Sequence, residues 1–357
     1  MKFAPHRSAL LLSLFCFTFV AATSPSADRQ PILEALRWVQ TPLRGSVRYD
    51  YIMTARVRFL FFWASKDDVG GGYIRRGVSS TDPRLEFFQV LFGSDPSTAP
   101  RSINRWGAGT EIAWHKDPVS MPSSESDITS SAFFGFMKSS RGKSAAEMQS
   151  ELRKEEDGGQ HSFTGILSRV EPARALSTVV PLQSDTDYSL HEYDLAGPLM
   201  LDRIAASDSP IRTLAGEGGC PRAASFLATV AELLETSLDG QATPLSRCYV
   251  HDAQENTLVL ESRTQVAKLP VQLRGAGKTI LLNTDYYDLL RLDFVSVHKI
   301  TGKQVNFTIL VGTRGEFRGV PVQIRYQPNW WFQVLLNLRP NTNQSQNTTL
   351  AARGDRR

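Results

Sequence analysis

Hydrophobic and polar residues alternate along residues 47–63 of the 357-residue chain. Every odd position in this segment is apolar, whereas charged residues such as Arg48 hold most even positions. A period of two that is sustained over the whole segment predicts one continuous β-strand with a single buried face. Asp67 and Asp68, followed by a run of glycines, then predict a turn, and residues 73–78 predict the return strand.

Short alternating segments return after Leu245 and continue to residue 338. Thr301-Gly302, residues 312–315 and the Pro328-Asn329 region separate the last of these segments from one another. Strands that are joined by tight turns, with helices inserted between groups of strands, are typical of α+β folds. The predicted fold class is therefore α+β and β-rich, with a curved antiparallel sheet or a partly open barrel and a few inserted helices.

The inserted helices are predicted from four segments, which are residues 31–39, 144–156, 188–205 and 221–237. The last of them begins with Pro221 and carries apolar residues along one helical face, as expected for a helix that packs on a sheet. Gly197-Pro198 interrupts the third segment. Because proline in a helix interior removes a backbone hydrogen bond, a break or a kink is expected there.

The register of the last hairpin decides where two adjacent tryptophans lie. If residues 328–329 formed a two-residue loop, the apolar face of each strand would meet the polar face of the other. An odd-numbered loop instead pairs Tyr326 with Phe332 and puts the large apolar residues on one side of the sheet. This register predicts a three- or five-residue loop, with Trp330 in the turn and Trp331 on the outer face.

Trp330 and Trp331, together with Arg325 and Gln327, form the candidate binding site. Tryptophan offers a wide apolar surface with one hydrogen-bond donor, so such a turn can stack on a sugar ring, a lipid or a peptide. The alternative is that another part of the domain covers the turn and that the two rings contribute to packing. As a binding surface, the turn would suit an apolar small molecule or a component of the cell envelope.

The first 22 residues predict an export signal. Basic residues precede the apolar segment ALLLSLFCFTFVAA, which is shorter than the roughly 20 residues that span a bilayer. Small residues at Val20 and Ala22 suit a signal peptidase and place the cleavage between Ala22 and Thr23. The mature protein is therefore expected in the periplasm or outside the cell, with no membrane-spanning segment.

Residues 23–340 are predicted to form one large β-rich domain, with a division into two halves near residues 185–220 as the alternative. Residues 341–357 are polar and lack periodicity, which predicts a disordered tail. The chain carries 40 basic and 36 acidic residues, and the basic residues are scattered rather than clustered. This nearly balanced charge argues against a nucleic-acid partner.

Cys220 and Cys248 are the two cysteines that remain once Cys16 leaves with the signal. Exported proteins meet an oxidising compartment, in which two cysteines usually pair. A disulfide between Cys220 and Cys248 is therefore predicted, with two free thiols as the alternative.

Asp185, Asp187, His191 and Glu192 belong to the densest group of potential metal ligands in the chain. Carboxylate oxygens suit calcium, and a histidine with a carboxylate suits zinc or a general base. The spacing matches neither an HExxH helix nor an EF-hand loop. The preferred interpretation is a polar loop that caps the following helix, and a metal-dependent hydrolase built on these four residues is the alternative.

No cofactor is predicted, because GAGKT at residues 275–279 lacks the first glycine of a phosphate-binding loop and no catalytic motif is complete. The segments KDDVGGGYIR, GSDPSTAPRSINRWG and PVQIRYQPNWW resemble those of a family of exported bacterial proteins with no assigned activity. The resemblance implies a bacterial envelope origin and brings no catalytic residues with it. The sequence therefore predicts a non-catalytic exported protein that holds an apolar ligand or partner.

Overall fold

The computed structural model describes residues 30–31, 33–34, 43–59, 62–118, 128–138, 161–215, 224–274 and 281–340. The predicted signal peptide, the predicted helix 144–156, Cys220, the GAGKT segment and the predicted tail lie outside these residues. Gln30, Pro31, Leu33 and Glu34 are helical, and the other positions of the predicted helix 31–39 are not described.

Fourteen strands of the described residues form one antiparallel sheet. Their order is β8-β7-β6-β5-β4-β3-β2-β1-β14-β13-β12-β11-β10-β9, so β8 and β9 are the edges of an open sheet. The β-rich antiparallel architecture that the turns predict is confirmed. The strands are β1 (Leu43–Phe59), β2 (Phe62–Ser79), β3 (Leu85–Ser94), β4 (Trp106–His115), β5 (Ile128–Met137), β6 (His161–Glu171), β7 (Arg174–Ser184), β8 (Ile211–Ala215), β9 (Leu245–His251), β10 (Gln254–Arg274), β11 (Leu281–His298), β12 (Gln304–Gly312), β13 (Pro321–Asn329) and β14 (Phe332–Leu338).

β1 and β14, the first and last of these strands along the chain, lie side by side in the middle of the sheet. β1 pairs with β14 along a ladder that runs from Tyr51 opposite Leu338 to Val57 opposite Phe332. All the other neighbouring strands are consecutive in the sequence, in keeping with the tendency of successive strands to pair. Two series of hairpins therefore meet at β1 and β14, one running from β1 to β8 and the other from β14 back to β9.

The boundary between β1 and β2 corrects the first strand prediction. β1 ends at Phe59 and β2 begins at Phe62, so the predicted continuous strand 47–63 is wrong. Asp67 and Asp68 lie inside β2 and not in a turn, which corrects the second prediction. Apolar residues continue through the real turn, whereas the residues typical of turns lie within the strand.

An irregularity in the ladder explains how β2 contains turn-forming residues. The register between β1 and β2 shifts between Met53 and Ala55, and Asp68 has a φ angle of 54°. A β-bulge of this kind accommodates a positive φ without ending the strand. A Cβ atom at Gly72 would lie 1.7 Å from the carbonyl oxygen of Leu91, so glycine there lets β2 and β3 lie close together.

Two α-helices, α1 (Tyr193–Ala206) and α2 (Phe226–Leu238), pack on opposite faces of β4. Trp106 of β4 belongs to the buried cluster that includes Met200 of α1. Ala113 points to the other face, because side chains alternate along a strand, and packs with Ala228 of α2. None of the helices in the described ranges has the length and apolar character needed to cross a membrane.

Both helices were predicted, with different boundaries. α1 begins at Tyr193 and continues through Pro198, so the expected break at this proline is wrong. The proline costs one backbone hydrogen bond, and the burial of Met200 and Ile204 in the core favours the continuous helix. α2 begins at Phe226, later than the predicted residue 221, and follows Ser225 as its N-cap residue.

Candidate functional site

The β13–β14 hairpin turns at the two adjacent tryptophans. Asn329 pairs with Phe332, so Trp330 and Trp331 are the two central residues of the turn. The prediction that Trp330 lies in the turn is confirmed, and the predicted loop of three or five residues is wrong. Trp331 is therefore a turn residue as well, instead of the first outward-facing residue of a strand.

Beyond the turn, each residue of β13 and β14 lies on the predicted face of the sheet but pairs with a different residue than predicted. Tyr326 pairs with Val334, two residues away from its predicted partner Phe332, and a register shift separates this pair from the turn. A shift of two residues leaves every side chain on the same face of the sheet. The apolar pattern thus determines the face of each residue but not its partner.

Trp330 and Trp331 are exposed. The exposed fraction is 67% for Trp330 and 45% for Trp331. Buried Leu336 and Leu338 of β14, by contrast, belong to the core of the same hairpin. These exposures disfavour the alternative interpretation in which another part of the domain covers the turn.

The β1–β2 hairpin turns beside the tryptophans. β1 and β14 are paired as far as Val57 and Phe332, and the backbone N–H of Arg58 donates a hydrogen bond of 2.8 Å to the carbonyl oxygen of Trp331. Phe62, the first residue of β2, is 63% exposed. An exposed phenyl ring therefore lies next to the exposed tryptophans in the sheet order.

The β11–β12 hairpin turns at the same end of the sheet. Phe307 of β12 pairs with Tyr326, and extending this ladder by three residues brings Gln304 level with Asn329. Ile300, in the turn that precedes Gln304, is 83% exposed. Nine large apolar side chains of the described residues are exposed, and four of them lie at these neighbouring turns. We call these four residues the hairpin end: Phe62, Ile300, Trp330 and Trp331.

Arg325 and Gln327, the other two predicted binding residues, lie behind the turn on β13. Gln327 is exposed and accepts a hydrogen bond of 3.3 Å from the side chain of Gln333. Arg325 is half-buried, and burial lowers the pKa of its guanidinium, as do the nearby cations Arg291 and Arg56. Arg325 therefore contributes positive charge behind the tip but is not itself at the tip.

Further basic residues surround the hairpin end. Arg58 of β1, Lys66 of β2 and Lys303 beside β12 are all exposed. No described carboxylate forms an ion pair with any of these three residues. Glu255 of β10 is paired with Lys299. The hairpin end thus combines exposed apolar residues with exposed cations that are not paired with any described carboxylate.

Phe62 and Ile300 were missed by the sequence analysis. Phe62 was assigned to the interior of a continuous strand, because the apolar run RFLFFW carries no glycine or proline at the real turn. Ile300 directly precedes Thr301-Gly302, which predicts a turn, and nothing in the sequence pattern indicates a function for it. The signal that could have identified both is a large apolar residue at a hairpin turn, where apolar residues are otherwise uncommon.

The four predicted metal ligands are not gathered at one point. His191 is exposed and its Nε2 lies 2.8 Å from a carboxylate oxygen of Asp95, whereas Glu192 accepts hydrogen bonds from the backbone and hydroxyl of Ser189. These bonds lower the pKa of Glu192 and form a capping box immediately before α1. Asp185 is exposed.

Asp187 has a structural environment of its own. One of its carboxylate oxygens accepts a hydrogen bond of 2.8 Å from Asn104 and forms an ion pair with the buried ammonium of Lys138. His161 lies 3.6 Å from the same oxygen. Within the described ranges, no three His, Cys, Asp or Glu side chains come together as a metal site. The metal-dependent hydrolase thus stays an untested hypothesis.

A polar cleft of about 450 Å³ lies between β1, β2, β3 and the segment before α1. The guanidinium of Arg48 lies 4.1 Å from the ring centroid of Tyr73 and bonds Asp50 at 2.8 Å. The His191–Asp95 pair lines the other side. The sequence analysis missed this cleft, although the glycine run at residues 70–72, which lines it, was a signal for close backbone packing.

Glu111 of β4 is completely buried at the N-terminus of α2. Its carboxylate accepts hydrogen bonds from the backbone N–H groups of Ser225, at 3.2 Å, and Leu227, at 2.7 Å. Burial raises the pKa of Glu111 to about 7, and the hydrogen bonds from the helix N-terminus oppose this effect only in part. The buried carboxyl group fixes where α2 begins, which a local sequence pattern does not reveal.

Glu86, on the neighbouring strand β3, is also buried. It accepts a hydrogen bond of 2.6 Å from Arg76 and lies 3.1 Å from Nε2 of His115. Burial raises the pKa of Glu86, but His115 and the charge of Arg76 outweigh burial and hold the pKa below its usual value. Arg76 also contacts Glu235 of α2 at 3.3 Å, so this network joins the helix to the sheet.

The predicted disulfide stays a prediction. Cys248 lies half-buried on β9, and Cys220 is outside the described residues. A comparison with known proteins found no matching family model, no matching curated protein and no matching solved structure.

Proposed function

We propose that the chain is an exported, non-catalytic binding protein that engages an apolar partner through the hairpin end. The observation that carries the proposal is the position of Trp330 and Trp331 as the two central residues of a turn, where they are 67% and 45% exposed. Tryptophan buries a large area on binding and is enriched among the residues that dominate binding energy. Export is inferred from the N-terminal apolar segment.

Curvature of the sheet is part of the same proposal. Asp252, in the β9–β10 turn, accepts hydrogen bonds from Ser177 of β7 at 3.0 Å and from Arg212 of β8 at 3.3 Å. Val250 of β9 packs in a cluster with Ala175 of β7. These contacts join the two edge regions of the sheet and support the curved sheet predicted from the sequence. A curved sheet would gather its neighbouring turns into one surface.

A fluorescence titration with 1-anilinonaphthalene-8-sulfonate, an aromatic anion that binds exposed apolar surfaces, tests the proposal. The dye should bind the purified chain, and Trp330→Ala/Trp331→Ala should weaken binding about tenfold or more, as for interface residues of this type. The melting temperature should change little, because both side chains are exposed.

Leu195→Ala is the matched control, since Leu195 on α1 is 67% exposed, like Trp330, but lies outside the hairpin end. Its dye binding should equal that of the unmodified chain. The proposal is wrong if Leu195→Ala weakens binding as much as the double substitution. If the double substitution mainly lowers the melting temperature and leaves dye binding unchanged, the tryptophans are packing residues instead.

A further inference from the structure

We infer that the partner of the hairpin end is the surface of a lipid bilayer that contains anionic lipids. This inference rests on the proposed function, because it names the chemistry of the partner that binds the same surface. Three features of the described residues carry it: the common level of the turns, the order of apolar and basic residues along the strands, and the pairing of the nearby carboxylates.

Neighbouring turns present their apolar side chains at one end of the sheet. Trp330 and Trp331 belong to the β13–β14 turn, Phe62 begins β2 directly after the β1–β2 turn, and Ile300 lies in the β11–β12 turn. The strands that carry them occupy consecutive places in the sheet from β2 to β11. A row of separate turn tips fits a broad, deformable surface, whereas a protein pocket would usually receive one protruding tip.

Basic residues follow the apolar residues along the strands. Arg58 pairs with Trp63, so it lies one position behind Phe62, and Lys66 lies four positions behind Phe62. With a rise of about 3.3 Å per residue, these backbones are roughly 3 Å and 13 Å behind the tip. Long basic side chains extend along apolar surface toward a polar boundary. Apolar tips with cations behind them match an apolar bilayer interior below a layer of anionic headgroups.

None of the described carboxylates forms an ion pair with Arg58, Lys66 or Lys303. Glu255 is paired with Lys299. Asp67 follows Lys66 directly in β2, but its carboxylate accepts a hydrogen bond of 2.9 Å from Thr54 and so lies on the opposite face of the sheet from Lys66, which pairs with Ala55. Lys303, next to Ile300, is exposed and forms no ion pair with a described carboxylate. Tryptophan is enriched at membrane interfaces because its ring is apolar and its N–H group is polar. The hairpin end thus has both components of interfacial membrane binding, apolar area and attraction to anionic lipids.

Cosedimentation with lipid vesicles tests this inference. The purified chain is mixed with vesicles of phosphatidylcholine alone, or of phosphatidylcholine with phosphatidylglycerol, and bound protein is measured at low and high salt. We expect binding to the acidic vesicles, much weaker binding to the neutral ones, and a loss of binding as salt screens the charges. Lipids brominated on their acyl chains should quench the tryptophan fluorescence of the bound protein.

Two variants separate the apolar and the charged contributions. Trp330→Ala/Trp331→Ala should lower binding to acidic vesicles about tenfold or more and remove most of the quenching by brominated lipid. Arg58→Glu/Lys66→Glu/Lys303→Glu should lower the same binding about a hundredfold or more, because each cation near an anionic surface contributes to attraction.

The matched control reverses the same number of charges at the opposite end of the sheet. Arg84, Lys116 and Arg314 are exposed there, after β2, β4 and β12. Substituting these three residues with glutamate should reduce binding far less than the reversals at the hairpin end. Equal losses from the two triple variants would overturn the inference, because binding would then follow net charge.

Other outcomes separate this inference from the proposed function. A chain that binds the dye through its tryptophans but ignores both kinds of vesicle keeps the proposed function and overturns the bilayer as partner. Equal binding to neutral and acidic vesicles overturns the role of anionic lipids. A chain that binds neither dye nor vesicles overturns both proposals.

Discussion

The hairpin end and the buried carboxylates near the N-terminus of α2 depart from the usual distribution of residues in opposite directions. At the hairpin end, Trp330 and Ile300 are large apolar residues that remain exposed. Near α2, Glu86 and Glu111 are carboxylates that are buried. Apolar side chains are usually buried and carboxylates are usually exposed, so both regions need an explanation.

The difference lies in the partners that each region already has. Glu111 accepts hydrogen bonds from two backbone N–H groups at the N-terminus of α2. Glu86 accepts a hydrogen bond from Arg76 and lies within hydrogen-bond distance of His115. Buried polar groups with such partners act as structural connections. At the hairpin end, by contrast, the four apolar side chains are 45–83% exposed. The first region is thus explained within the fold, and the second is the observation behind the proposed binding function.

The largest expected effect is the removal of a carboxylate from the α2 region. Glu86→Ala deprives Arg76 of its closest ion pair, and only the longer contact with Glu235 remains. Because the carboxylate is buried while the guanidinium of Arg76 is 38% exposed, its loss should lower the free energy of unfolding by about 2–3 kcal/mol, which urea denaturation at neutral pH measures. Asp50→Ala is the matched control, because the Arg48–Asp50 pair is half exposed, and it should cost about 1 kcal/mol or less. Equal losses would show that the burial of Glu86 adds nothing to the stability of its ion pair.

Glu111→Gln tests the buried carboxyl group through the pH dependence of stability. The folded protein holds the pKa of Glu111 at about 7, above the ordinary value of 4.5, so the folded state favours the protonated form. Stability should therefore fall as the pH rises from 4.5 to 7, by up to about 3 kcal/mol, and the glutamine variant should lack this fall.

Unfolding curves between about pH 4 and pH 8 measure this effect. Glu86, whose pKa is lowered, acts in the opposite direction and loses its stabilising effect only as the pH falls below the ordinary carboxyl range. Glu111→Ala serves as a second variant, since it also removes the acceptor at the helix terminus and should be less stable at every pH. Parallel curves for Glu111→Gln and the unmodified chain would contradict the raised pKa.

The smallest expected effect is at the hairpin end. Ile300→Ala removes a side chain that is 83% exposed and should change the free energy of unfolding by less than about 0.5 kcal/mol. Ile309→Ala, on the same hairpin, removes a side chain that is 3% exposed and should cost about 2–5 kcal/mol. A thermal unfolding series compares the two. A large loss from Ile300→Ala would show that the hairpin end is packed against something within the protein.

The sequence predicts which face of a strand a residue occupies better than where a strand ends. The alternation of apolar and polar residues predicts that Ile324 and Tyr326 lie on one face of the sheet. Their pairing with Leu336 and Val334, which the same pattern places on that face, confirms this prediction. The partners differ from the predicted ones because a two-residue shift preserves every face. Phe62 was missed because its turn carries no turn-forming residues, while Asp68 and its neighbours carry them inside a strand.

Contacts between distant parts of the chain were beyond prediction. Glu111 lies on β4, and the backbone N–H group that donates a hydrogen bond to it belongs to Ser225, 114 residues further along the chain. No local sequence pattern connects the two residues. The polar cleft, likewise, brings Arg48 and His191 together only after the sheet has formed. The position of Trp330 in a turn is predictable because it depends only on the pattern of residues within one hairpin.

The pairing of β1 with β14 imposes an order on folding during synthesis. The hairpins from β1 to β8 can form as the chain emerges, since each strand finds its partner nearby. β1, however, has an unpaired edge along Tyr51–Val57 until β14 is made, because β14 is its only partner on that side. An exposed strand edge invites pairing with other chains. Shortened chains that lack β14 should therefore aggregate, even though they retain most of the residues of the sheet.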